Sequence, residues 1–187
     1  MDCSPHAGWR FGGQVAADHD HERGLAFAAH KNVELAEREL NALAALAGSP
    51  EAKKLDSPAF PVSATLAVPA LWLAGKVAGA KGNTREMIEK LEKAVAAQDA
   101  IPYMEPYFWP IPARLPLGAA LLQSGDAVKA EQVFREDVKR WPRNGWGLFG
   151  LEQSLRAQGK TQQADDVRRQ FTEAWQRADV KLDLSWY

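Results

Sequence analysis

The chain of 187 residues has a single cysteine, Cys3. That excludes an internal disulfide framework and any cysteine-rich zinc site. β-Branched residues are also scarce: Val, Ile and Thr together number 18, against 32 alanines. Alanine loses no side-chain entropy in a helix, whereas β-branched residues lose χ1 freedom there, so the composition predicts helices. Neither sign of charge dominates, with 23 Lys and Arg against 24 Asp and Glu. A polybasic nucleic-acid binder is therefore excluded as a class.

Long apolar runs are missing too. The first 25 residues contain none of signal-peptide length, and the longest charge-free stretch, Ser57 to Gly75, is broken by Pro58, Pro61 and Pro69. A membrane helix needs about 20 mostly apolar residues, so the expectation is a soluble, cytoplasmic chain with no membrane partner. There is no GxxxxGK[ST] loop and no GxGxxG after a strand, and no cofactor is expected. Arg135, Lys139, Arg140 and Arg143 form a basic stripe, but Glu136 and Asp137 interrupt it, as in a solvated helix face. Hydrophobic residues make up 46% and charged ones 25%, the balance of a folded chain.

What the chain does contain is a repeat. Counting from Ile111, Gly118, Gly125, Ala130, Phe134 and Pro142 stand at positions 8, 15, 20, 24 and 32. A shift of 34 residues puts Leu151, Leu155, Gly159 and Ala164 at positions 7, 11, 15 and 20. A start at Val68 gives Gly75, Gly82, Leu91 and Ala94 at 8, 15, 24 and 27. A less regular copy from Ala17 has Gly24, Phe27, Ala36, Leu40 and Leu43 at 8, 11, 20, 24 and 27. Small residues at 8 and 20 let two helices approach, and large apolar ones at 11 and 24 fill the space around them. Glycine at 15 turns the chain through φ > 0, and proline near 32 stops the second helix. In the first copy Lys31-Asn32 replaces the glycine, and Asn32 is the residue expected to adopt the left-handed conformation.

This pattern resembles the tetratricopeptide repeat. The resemblance implies an all-α, antiparallel helix-pair solenoid, with pairs at about 18–30 and 33–47, 65–80 and 84–98, 112–124 and 127–140, and 145–158 and 162–178. Asn83, Asp126, Asn144 and Thr161 are expected to cap the helices that follow them. Residues 1–17 are left as an unassigned leader, 18–182 as the helical domain and 183–187 as a tail. Gly48 to Val62 reads as a loop. Residues 99–116 hold five prolines among Tyr103, Tyr107, Phe108 and Trp109. That is too aromatic for a disordered linker, so a mostly extended strap packed on the helices is expected, and the residues from Ala178 on are expected to cover the last helix.

The strap run Glu105-Pro106-Tyr107-Phe108-Trp109-Pro110-Ile111-Pro112-Ala113-Arg114 is similar to a signature of long bacterial tetratricopeptide-repeat proteins of poorly defined function. His21-Glu22-Arg23-Gly24, Asn144-Gly145-Trp146 and Trp175-Gln176-Arg177-Ala178 resemble further segments of the same group. The likeness spans residues 20 to 182 and matches their C-terminal third. With no upstream neighbour, the first pair is expected to have an apolar outer face and to form a homodimer through residues 18–47.

Three functional readings follow. The resemblance places positions 2, 5, 9, 12 and 13 of each first helix on a concave face. That gives Trp72 and Lys76, then Leu115, Leu122 and Gln123, then Trp146, Phe149, Gln153 and Arg156. Two Trp, a Phe and two cations suit a peptide or protein partner, possession of an enzyme activity not being required. The alternative is a hydrolase-type enzyme at the strap, where His21, Glu105, Arg23 and Arg114 match the group's motifs; a Glu–His pair can do acid–base work and an arginine can hold an anion. The third is a small-molecule or metal binder in the same polar pocket. His19 and His21 are its candidate ligands, although residues i and i+2 of a helix point to different sides.

Overall fold

The computed structural model describes residues 5–103, 107 and 109–183. Cys3, Glu105, Pro106, Phe108 and the last four residues lie outside the described residues. Among those described the fold is all-α, with no strand beyond one isolated bridge, Ser57–Phe60. It divides into two compact units, Met1–Ala113 and Arg114–Tyr187.

The first unit holds α1 (Pro5–Ala29), α2 (Val33–Ala47), the short α3 (Pro50–Lys54), α4 (Val62–Ala80) and α5 (Thr84–Asp99). The second holds α6 (Arg114–Gln123), α7 (Ala127–Arg140), α8 (Gly145–Ala157) and α9 (Thr161–Trp175). The short connections make α1/α2, α4/α5, α6/α7 and α8/α9 antiparallel pairs. In the first unit α4 packs on α1 and α2 as well as on α5; in the second, α8 packs on α6 and α7 as well as on α9.

All four pairs turn in the same way. The backbone N–H groups of Asn32, Asn83, Asp126 and Lys160 reach back to the carbonyls of Phe27, Ala78, Leu121 and Leu155, at 2.8 to 3.0 Å. The residue before each has positive φ: Lys31 at 57°, Gly82 at 80°, Gly125 at 91° and Gly159 at 71°. This closure satisfies carbonyls that a helix end leaves open. In the first pair the left-handed residue is therefore Lys31, not Asn32. Asn32 caps α2 instead, its Oδ1 accepting from the Leu35 N–H, as Asn83 does for Glu86 and Asp126 for Lys129. Thr161 is not a cap: it is the first residue of α9, and Lys160 holds the cap position.

Three stretches differ from expectation. α1 starts at Pro5, inside the unassigned leader. A five-residue helix, α3, interrupts the expected loop, with the Ser49 Oγ accepting from the Ala52 N–H and Pro50 pre-set for a first turn. In the strap only Trp109 of the described aromatic residues is buried; Tyr103 and Tyr107 are exposed and touch each other edge-on at 5.8 Å.

The interiors follow the small–large alternation. A Cβ on Gly24 would meet the Leu73 side chain at 2.4 Å, and one on Gly75 would meet Leu91 at 2.9 Å. In the second unit the fully buried Phe134 ring lies in a slot between two glycines. A Cβ at Gly118 would come within 2.5 Å of it and one at Gly150 within 2.3 Å. Helix α4 is long and apolar enough to cross a membrane by length and composition, with a mean hydropathy of 1.4, but 56% of that window is buried in the protein. Its apolarity is that of a core helix, packed on α1, α2 and α5.

Candidate functional site

The first unit brings together two residues singled out for different reasons. His21 on α1 and Trp72 on α4 meet edge to face at 5.2 Å, and Trp109 from the strap joins them, 5.0 Å from His21 and 6.4 Å from Trp72. All three are nearly closed to water, at 2%, 5% and 6% exposure. The His21 Nδ1 lies 3.1 Å from the Pro69 carbonyl. Nδ1 therefore carries the proton and donates, leaving a lone pair on Nε2. Burial pulls the imidazole down from 6.5 to about 4, against the opposing effect of the Pro69 bond. His21 is thus neutral near pH 7. Its Nε2 and the Nε1 atoms of Trp72 and Trp109 are buried without a hydrogen-bond partner among the described residues.

Trp72 is accordingly part of a packed aromatic cluster rather than an open surface. Lys76 stands one turn further along α4, and burial lowers its pKa. The strap that delivers Trp109 is tied to the end of α5 by one side chain. Gln98 donates from Nε2 to the carbonyls of Trp109 and Ile111, at 3.3 and 3.0 Å, and its Oε1 accepts from the Ala113 N–H at 2.8 Å. Gln98→Ala is expected to loosen the strap by about 1–2 kcal/mol, the net worth of such bonds. Limited proteolysis between residues 99 and 113 measures it, and a cleavage rate equal to that of the wild type would contradict this role.

The other strap candidates are Arg23, Glu105 and Arg114. Arg23 is half-exposed and bonds Glu39 at 2.5 Å and Asp20 at 3.3 Å, fastening α1 to α2. Glu105 lies outside the described residues. Arg114 opens α6 in the second unit, buried at 7% exposure, where its charge acts on Asp137. Among the described residues, His21 meets two indoles and a carbonyl. His19 is exposed, and no group of three or more His, Cys, Asp or Glu side chains suited to a metal occurs among the described residues.

In the second unit the concave-face candidates sit on α6 and α8. Leu115 is buried, Leu122 half-buried and Gln123 exposed. On α8, Trp146, Phe149, Gln153 and Arg156 follow one another at intervals of three and four residues, which places them on one face. The first three are half-buried; Arg156 is more open and bonds Glu152 at 2.8 Å and Asp165 at 2.9 Å. Their aromatic members are backed by α9. Trp146 meets Trp175 edge-on at 5.5 Å, Phe149 leans on Phe171 at 5.8 Å, and Phe171 stacks on Trp175. The Arg168 guanidinium lies 5.2 Å from the Phe171 ring. The Trp175 Nε1 donates to the Val180 carbonyl at 2.8 Å, which ties the residues just after α9 to its last turn.

Sequence reasoning missed several buried polar residues. Glu131 on α7 accepts from Lys160, Arg135 and Gln158 at 2.6 to 2.8 Å. Burial pushes its carboxyl up, but those three bonds and the Arg135 charge bring it down to about 2. Glu152 and Asp137 are buried as well. No spacing signals this: Glu131 and Asp137 stand in a helix rich in charge, and Glu152 pairs with Arg156 one turn on, as an exposed carboxylate would.

Among the described residues of the first pair, Leu25, Phe27, Val33, Leu35 and Leu40 are half-buried. None of the large hydrophobic side chains that are exposed falls in residues 18–47, and the surface there carries ion pairs such as Glu34–Arg38 and Glu37–Lys81.

No protein-family model matches the chain, and no curated protein matches its sequence. Among solved structures, the crystal structure of MamA protein is similar to it with a TM-score of 0.49 and 12% sequence identity, covering 90% of this chain and 98% of that one.

Proposed function

We propose that the protein is a non-enzymatic, tetratricopeptide-like interaction module of the cytoplasm that holds a protein or peptide partner on its first-helix faces. The observation that carries this reading is the α8 face. Trp146 and Phe149 are half-open to water, yet each is braced from behind by an aromatic side chain of α9. Braced aromatics lose little freedom when a partner covers them, and such residues dominate binding energy at interfaces. Gln153 and Arg156 continue the same face and supply hydrogen-bonding groups for a polypeptide.

The test is selection of peptides from a display library against the full chain, followed by titration of the best binder. Trp146→Ala is expected to weaken that binder by about 2 kcal/mol, roughly thirtyfold. Arg85→Ala, at an exposed ion pair on α5, is expected to leave it unchanged. Equal affinity for the wild type and Trp146→Ala would count against the α8 face. Trp72→Ala does not serve here, because Trp72 is buried and its loss tests the fold instead.

A further inference from the structure

Four local irregularities coincide where α7 passes into α8. Arg143 has φ of 71°, a conformation that side chains other than glycine rarely adopt. Asn144 occupies the cap position of α8 but makes no capping bond, unlike Asn32, Asn83 and Asp126 in the other turns. Its Nδ2 instead donates to the Asp137 Oδ2 at 2.8 Å. Asp137 is fully buried, and its Oδ1 has no partner. The α8 backbone lies directly over this carboxylate: a Cβ on Gly147 would come within 2.3 Å of Oδ2. When several local rules fail at one point of an otherwise regular fold, that point is a place to look for a device.

On α7 the charged residues nearest in sequence, Arg135, Glu136, Lys139 and Arg140, are exposed, as is Arg143 in the turn. On α6 the one charged residue is Arg114, whose charge favours the ionised carboxylate. On α8 the charged residues are Glu152 and Arg156, which bond each other. The Asn144 bond also favours ionisation. Burial opposes both and prevails, holding the carboxyl well above the usual range, at about 6.

We infer that Asp137 is a proton-operated latch on the α7–α8 turn: protonated it sits stably beneath α8, and ionised it loosens the start of α8 to reach water. Asn144 has two alternative partners in the two states. In the closed state it bonds Asp137; in the open one its side chain is released to cap α8, as its counterparts do in the other turns. The turn is therefore tighter below about pH 6 and looser above it.

The second unit makes the test clean, because residues 114–187 contain no histidine and all four lie earlier in the chain. Hydrogen exchange of the full chain, corrected for the intrinsic pH dependence, is compared at pH 5 and pH 7.5. Wild-type amides between residues 141 and 150 are expected to be about tenfold or more better protected at pH 5, and Asp137→Asn is expected to remove the difference. Equal protection at both pH values in the wild type, or a difference that survives Asp137→Asn, would overturn the latch. Should that variant fold poorly, carboxyl NMR of the wild type decides: a midpoint near 6 supports the inference, and one below about 4.5 refutes it.

Discussion

Phe134→Ala is expected to cost the second unit about 4 kcal/mol, within the range for truncating a fully buried phenylalanine. The reason is the slot the ring fills. Gly118 on α6 and Gly150 on α8 each bring bare backbone against it, at distances that leave no room for a Cβ. Truncation leaves a cavity whose two walls have no side chains with which to collapse. Phe134 also meets both neighbouring helices, at Gly118 and Gly150, so its loss weakens two packing contacts at once. Since whole domains are stable by only about 5–15 kcal/mol, the variant should sit near the edge of folding. Urea unfolding, followed by exchange protection in α6–α8, measures this. A loss below about 1 kcal/mol would mean that the glycine slot is not what locks the helices together.

Acid is expected to weaken the first unit by about 3 kcal/mol between pH 6.5 and 4, through His21. The imidazole titrates near 6.5 when unfolded and near 4 when folded, so over this interval the unfolded chain binds more protons. The stabilisation is fully present above pH 6.5, is lost as the pH falls, and is gone below 4; about 2.5 units correspond to about 3 kcal/mol. His21→Phe keeps a ring between Trp72 and Trp109, gives up the bond to Pro69, and cannot charge. Its unfolding free energy should vary much less over the same interval, although it starts lower at pH 7. An equally steep decline in His21→Phe would assign the acid sensitivity to other groups. The two units thus respond to acid with opposite signs: near pH 5 the buried histidine weakens the first while the buried aspartate steadies the second. Glu131, held at about 2, keeps its own contribution to the second unit until far lower pH.

The repeat was readable because its physics is local. A positive φ is needed at one place in each pair, and Gly82, Gly125 and Gly159 mark it in the text of the chain. Helix limits followed from those turns together with the cap residues. The same logic failed where another residue took the strained position, at Lys31, where a cap was diverted, at Asn144, and where Lys160 rather than Thr161 held the cap position. The Phe134 slot was legible too, since position 8 asked for a small residue and position 24 for a large one.

The candidate site was legible as a set of residues and illegible as an arrangement. Trp72 and Trp146 occupy equivalent first-helix faces by resemblance to the repeat, yet one is sealed and the other half-open. The difference comes from Trp109, 37 positions beyond Trp72 in the chain, and from His21, which precedes it by 51. These close on Trp72 from a strap and a separate helix. Nothing in the spacing around either tryptophan carries that information.

The order of the helix pairs, the turns inside them, and the small and large residues that seat them were determined by the sequence itself, because backbone conformation and volume are properties of single positions. Which side chains are cut off from water was decided only by the tertiary structure. Desolvation depends on everything that surrounds a group, and it is desolvation that shifts His21, Lys76 and Asp137 from their ordinary values.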